Sequence, residues 1–127
     1  MSGLYSLFPE EGTGSIPVER SWPDTWPYNE SQGVYVIFGQ DCSEPLDIGK
    51  ASMNNFLGDR LSDYFGYDKP ARRCRIKDIN WSERPMYIVT VPVPMGMAFE
   101  AAALEEYLIG RFQPADNKRG KSLAAGA

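Results

Sequence analysis

Two charged side chains stand where a soluble fold normally places apolar ones. Residues 97–112 carry apolar residues at helical spacing. At 100° per residue, Ala98, Ala101, Ala102, Leu108, Ile109 and Phe112 all fall within about 60° of Glu105. The neighbouring Glu106 points about 100° away, where water can solvate it. Residues 53–65 repeat the pattern around Arg60, with Met53, Phe56, Leu57 and Tyr64 inside the same arc. A buried charge without compensation is costly. One compensation is an Arg60–Glu105 ion pair that fixes the register of two helices. The other is a site, with a carboxylate aimed at a cation and a guanidinium aimed at an anion. A metal ion and a phosphate would satisfy both.

The rest of the composition narrows the chemistry. Histidine is absent, which excludes imidazole-based nucleophilic triads and His-ligated zinc. Cys42 and Cys74 are too few for a four-cysteine zinc site and form no CxxC; they read as two small hydrophobes in a reducing compartment.

These residues need elements to hold them. GVYVIFG from Gly33 reads as a strand, and LDIG from Leu46 as a second, joined to the first as a hairpin across QDCSEP. Residues 53–65 read as a helix and 66–84 as irregular. MYIVTVPV, 86–93, reads as a third strand that Pro92 and Pro94 end or place at an edge. Residues 97–112 form a second helix, stopped by Pro114. The expected fold is α+β, a small three-stranded, mostly antiparallel sheet in the order β-β-α-β-α, flanked by helices.

The chain of 127 residues has room for one domain. Its net charge of −4 resides in residues 1–30, where five acids face one base; the remaining residues balance at 12 acids and 12 bases. An anionic ligand is therefore compatible with the rest of the chain. Residues 1–30 form a Pro/Trp-rich acidic extension, whose prolines disfavour regular elements and whose WPDTWPY suggests docking on a surface. A domain over 31–119 and a flexible tail over 120–127 follow. No apolar run approaches a membrane span and no signal peptide is legible, so a cytoplasmic location is expected.

Gly33-Val34-Tyr35 followed by Asp47-Ile48-Gly49-Lys50-Ala51 resembles the paired motif of the GIY-YIG nucleases. In that family the second motif is followed by a helix bearing an arginine, here Arg60, with tyrosine or histidine four residues on, here Tyr64. A later helix carries a metal-binding glutamate, here Glu105, and an asparagine follows a proline, here Asn117 in QPADN. The N-terminal nuclease domain of bacterial excision-repair incision subunits has similar text at each landmark. The resemblance spans about residues 31–119. It departs at Asp47, where the family usually has tyrosine, and in a longer stretch between Gly49 and Arg60.

The resemblance implies a metal-dependent DNA endonuclease, with RNA as a second possible substrate and a protein partner for targeting or inhibition. Glu105 would bind Mg²⁺ or Mn²⁺, and Arg60 would fork onto a non-bridging phosphate oxygen. Tyr35 would take a proton from the attacking water, which requires a nearby cation, such as Lys50, to lower its pKa. Tyr64 would bond phosphate or water, and Asn117 would position Glu105 or a loop. Asp47 would assist proton transfer, hold water or repel phosphate. On the residues alone, Tyr35 also fits a half-buried strand tyrosine beside Ile37, Lys50 a strand end, Tyr64 a core residue and Asn117 a helix exit. Lys69, Arg72, Arg73, Arg75 and Lys77, with Lys118 further on, are candidate nucleic-acid contacts or a solvated basic surface. A catalytically inactive GIY-YIG fold that binds nucleic acid or protein is the alternative.

Overall fold

A computed structural model of the chain describes residues 3–8, 30–40, 44–52, 55–68, 73–77, 80–94 and 96–117. The element order is β1 (Gly3–Ser6), β2 (Gln32–Phe38), β3 (Pro45–Ala51), α1 (Leu57–Leu61), β4 (Phe65–Asp68), β5 (Arg73–Ile76), β6 (Tyr87–Val93) and α2 (Ala98–Phe112). The main sheet has the order β1-β6-β2-β3 with every pairing antiparallel, and β4-β5 form a separate hairpin.

The α+β class and the central strands β6-β2-β3 match the sequence reading; three other features differ. Gly3–Ser6 is a fourth strand, so the first residues of the extension belong to the sheet. Leu7 and Phe8, just after it, are buried in the same core as Tyr35. Residues 66–84 are not wholly irregular, because they contain most of the β4–β5 hairpin. The first helix shrinks from the expected 53–65 to 57–61, with 62–64 in turns. Gly58 weakens a helix at that point. The Asp59 carboxylate caps the entry instead, accepting the Phe56 N–H at 2.9 Å.

β6 is not an edge strand, yet Pro92 is tolerated. β1 covers only Tyr87–Thr90, so it stops short of Pro92. Proline has no N–H to donate, and none is needed there.

Side chains alternate across the sheet. Tyr35, Ile37, Asp47, Gly49, Ala51, Ile88 and Thr90 share one face, as the register pairs Tyr35 with Gly49 and Thr90, and Ile37 with Asp47 and Ile88. Leu57 and Leu61 of α1 and Phe65 of the hairpin pack on this face. Val34, Val36, Ile48, Lys50, Val89 and Val93 lie on the other, against Ala101 and Ile109 of α2. WPDTWPY and Cys42 lie outside the described residues; Cys74 is a buried free thiol packed with the Tyr35 core.

Candidate active site around the tyrosine pair

The centre of the site is Tyr35, which is 1% exposed in the middle of β2. Its ring occupies the space that Gly49 leaves on the neighbouring strand: a Cβ at Gly49 would collide with the Tyr35 hydroxyl. Gly33 meets a similar constraint, since a Cβ there would run into the Val91 carbonyl. Both glycines of the paired motif thus permit close approach.

The Tyr35 hydroxyl lies 3.0 Å from that of Tyr64, and the two rings meet edge to face. Asp47 lies close enough to Tyr64 for its carboxyl to act on the phenol. The Tyr64 ring contacts Trp81, whose indole stacks on Phe65. Arg60 sits near enough to Tyr35 and Tyr64 for their charges to interact. It makes an ion pair with Asp63 at 3.7 Å, one turn on in the chain.

The expected placement of Arg60 at the centre of a core-facing helix is revised. α1 buries Leu57, Gly58 and Leu61; Phe56 is exposed and the Arg60 side chain is 39% exposed. The guanidinium therefore reaches solvent while its Nε is buried. On α2, Glu105 is half-buried one turn from each of the buried Ala101 and Ile109, as the helical projection requires. Phe112 departs from that projection and is 44% exposed.

Asp47 joins the two sides. It is only 8% exposed, on the edge strand of the sheet. Burial raises its pKa to about 6, and the carboxylates of Asp116 and Glu105 push the same way; Tyr64 and Arg60 oppose. Glu105 and Arg60 thus both act on one carboxyl, from α2 and α1 respectively. Asn117 holds the outer edge of β3: its Oδ1 accepts the Ile48 N–H at 2.7 Å and its Nδ2 donates to the Ile48 carbonyl at 2.9 Å. Asp116 adds an N–H bond to the Leu46 carbonyl at 2.7 Å. Asn117 is therefore a strand clamp.

Tyr35 does not fit its expected role as a proton acceptor. Burial drives its phenol far above the ordinary range, with Tyr64 and Asp47 adding to the effect; Arg60 opposes only in part. Lys50 is not the cation beside it. Alternation puts Lys50 on the Val34 face, and the cation near Tyr35 is Arg60. Burial and Asp47 also raise the Tyr64 phenol. For Arg60, burial lowers the pKa, but the two tyrosines and Asp63 outweigh it and the net shift is upward.

Among the described residues, the buried polar side-chain atoms without a hydrogen-bond partner are Asp47 Oδ2, Arg60 Nε, Trp81 Nε1, Thr90 Oγ1 and Gln113 Oε1. The first four belong to this one site. Such atoms are uncommon in native interiors, and water or a ligand at the tyrosine pair would satisfy them. Thr90 and Trp81 were not singled out in the sequence. Thr90 is a β-branched residue in a strand, where threonine is ordinary, and Trp81 lies in a stretch without periodicity.

No three His, Cys, Asp or Glu side chains cluster as a metal-binding group among the described residues. Asp116 and Glu105 each raise the proton affinity of the Asp47 carboxyl, and positive charge near it would oppose that effect. Of the basic candidates, Arg75 and Lys77 are exposed; Lys77 Nζ donates to the Ser62 carbonyl at 2.7 Å, behind α1 in sequence. Arg73 contributes backbone to β5, and Lys69, Arg72 and Lys118 lie outside the described residues. No described helix is long and apolar enough to cross a membrane.

No family model matches the chain, and neither a curated protein nor a solved structure does.

Proposed function

We propose that this chain is a metal-dependent endonuclease of GIY-YIG type that hydrolyses phosphodiester bonds in DNA. The observation that carries the reading is the hydrogen-bonded Tyr35–Tyr64 pair beside a buried Asp47 carboxyl whose charge Arg60 of α1 and Glu105 of α2 both influence. Five sequence landmarks in family order support it: the two glycine motifs, Arg60, Glu105 and Asn117.

In this reading Arg60, with its exposed guanidinium, forks onto a non-bridging phosphate oxygen. Glu105 holds Mg²⁺ or Mn²⁺. The cation, when bound, polarises the phosphate and stabilises the leaving oxygen. The hydroxyl of Tyr64, a half-buried residue, orients the attacking water, and the Tyr35 hydroxyl holds it in place. Arg75 and Lys77 contact backbone phosphates, giving salt-dependent binding with little sequence preference.

A second reading is an inactive member of the fold that binds nucleic acid or protein. Asp47 in place of the usual tyrosine, beside a sealed Tyr35, favours it. Incubating supercoiled plasmid with the protein and Mg²⁺ or Mn²⁺ separates the two. The nuclease reading expects nicking that chelation abolishes and that Glu105→Ala reduces at least about 100-fold. Binding without cleavage on DNA or RNA selects the inactive module.

A further inference from the structure

We infer that Asp116 is a positioning residue for Tyr64: it tethers Ser82, and through that segment keeps the Trp81 indole against the Tyr64 ring. The inference rests on the nuclease reading and adds to it how the water-orienting phenol is held.

The tether starts just past α2. The Asp116 carboxylate accepts the Ser82 N–H on both oxygens, at 3.1 and 3.2 Å, and the Ser82 hydroxyl on one of them at 3.0 Å. Bonds to an ionised acceptor are stronger than neutral ones. The Asp116 N–H donates to the Leu46 carbonyl at 2.7 Å, and Asn117 brackets Ile48. Asp116 therefore bridges the edge strand β3 and residues 81–82, which lie outside any described strand.

Trp81 needs such an anchor. Its Nε1 is buried without a hydrogen-bond partner, so no polar contact of the indole fixes the ring. The indole stacks on the fully buried Phe65, with ring centroids 6.3 Å apart, and meets the Tyr64 ring at 5.6 Å. Two residues distant in sequence thus set where the Tyr64 phenol lies: Tyr35 at its oxygen and Trp81 at its ring.

The next two residues are held elsewhere. Glu83 accepts the Gln40 N–H at 3.2 Å, and the Arg84 guanidinium lies 3.9 Å over the Phe8 ring. Ser82 is the attachment that directly adjoins Trp81. It is exposed and Asp116 is half-buried, so the tether adds little to overall stability. Its loss acts on position instead, and a displacement of about 1 Å near the reacting atoms can cost about 100-fold in rate.

The test is single-turnover plasmid nicking in Mg²⁺ over a range of protein concentrations, with melting curves and NMR shifts of the Trp81 indole N–H and the Tyr64 ring. Asp116→Ala should lower the maximal rate about 10-fold, leave the half-saturating concentration within about twofold, and move both sets of resonances. Asp116→Asn can still accept the Ser82 N–H and donate to the Ser82 hydroxyl, so it should keep most of the rate and the native shifts. Asp116→Ala combined with Trp81→Ala should lose no more than Trp81→Ala alone. A folded Asp116→Ala protein with wild-type rate and ring shifts overturns the inference and leaves the nuclease reading standing. Asp116→Asn losing as much as Asp116→Ala also overturns it, because charge rather than the tether would then matter. Should Asp116→Ala not fold, Ser82→Ala decides: about a 3-fold loss with the same resonance shifts supports the tether, and an unchanged rate overturns it. A wild type that cuts nothing in Mg²⁺ or Mn²⁺ overturns the nuclease reading, and the positioning role falls with it.

Discussion

The two faces of the sheet are built from the same three central strands and solve different problems. The face toward α2 packs Val34, Val36, Ile48, Val89 and Val93 against Ala101 and Ile109. The face toward α1 and the hairpin has the larger apolar core, yet interrupts it with Tyr35, Asp47 and Thr90. Two of those residues carry buried polar atoms without partners. Burying such groups opposes folding. In the proposed reading the α2 face holds the sheet, the tyrosine face carries Tyr35, Tyr64, Asp47 and Arg60, and Glu105 acts on Asp47 from α2.

Substitutions can break this contrast, and the largest effect belongs to the α2 face. Ile109→Ala should destabilise the protein by about 2–4 kcal/mol in urea unfolding. The folded fraction should cleave within a few-fold of wild type. A large loss of rate in fully folded protein would show that the two faces are not separable.

Gly49→Val comes next, at about 3 kcal/mol, because the new side chain must displace the Tyr35 ring. Here rate and stability should fall together. Tyrosine fluorescence or ring NMR shifts would report the displacement directly.

Asp47→Asn should act in the opposite direction on stability. The Asp47 pKa rises from 3.8 to about 6 on folding, so the folded state holds the proton more tightly. Below pH 3.8 both states are protonated and the group has no effect. Between pH 3.8 and 6 a penalty develops, and above pH 6 it is complete. Asp47→Asn is therefore expected to be more stable than wild type by about 1–3 kcal/mol at pH 8, with the difference shrinking toward pH 4. Thermal melts at the two pH values measure it. A destabilised variant at pH 8 would mean that the carboxylate contributes favourable bonds that outweigh its burial.

Much of this contrast was legible in the sequence. GVYVIFG and MYIVTVPV were legible as strands from their β-branched and aromatic residues, and Glu105 stood out because the 15 residues of α2 preserve a regular helical period. The paired glycines stood out through the motif they resemble, and the packing explains one of them, since a Cβ at Gly49 would collide with Tyr35. The short elements were not. α1 is five residues long, so a projection over 53–65 extends the period past the point where the chain turns, and Arg60 was displaced into the core. β1 and the β4–β5 hairpin are four-residue strands whose partners are set by tertiary contact. In β5 the basic residues dominate the composition, and they concealed the inward Cys74 and Ile76. The protonation behaviour of Tyr35 was also out of reach, because it depends on burial by residues as distant in sequence as Leu7, Phe8 and Tyr64.

The central claim is that the tyrosine face, with Arg60 at its opening, acts on phosphate. Its most direct test is the single-turnover nicking rate of supercoiled plasmid in saturating Mg²⁺, wild type against Arg60→Ala, with melting temperatures recorded for both. Arg60→Ala should lose at least about 100-fold in rate and melt within a few degrees of wild type, since its side chain is 39% exposed and its ion pair is with the exposed Asp63. An Arg60→Ala protein that nicks as fast as wild type would contradict the account.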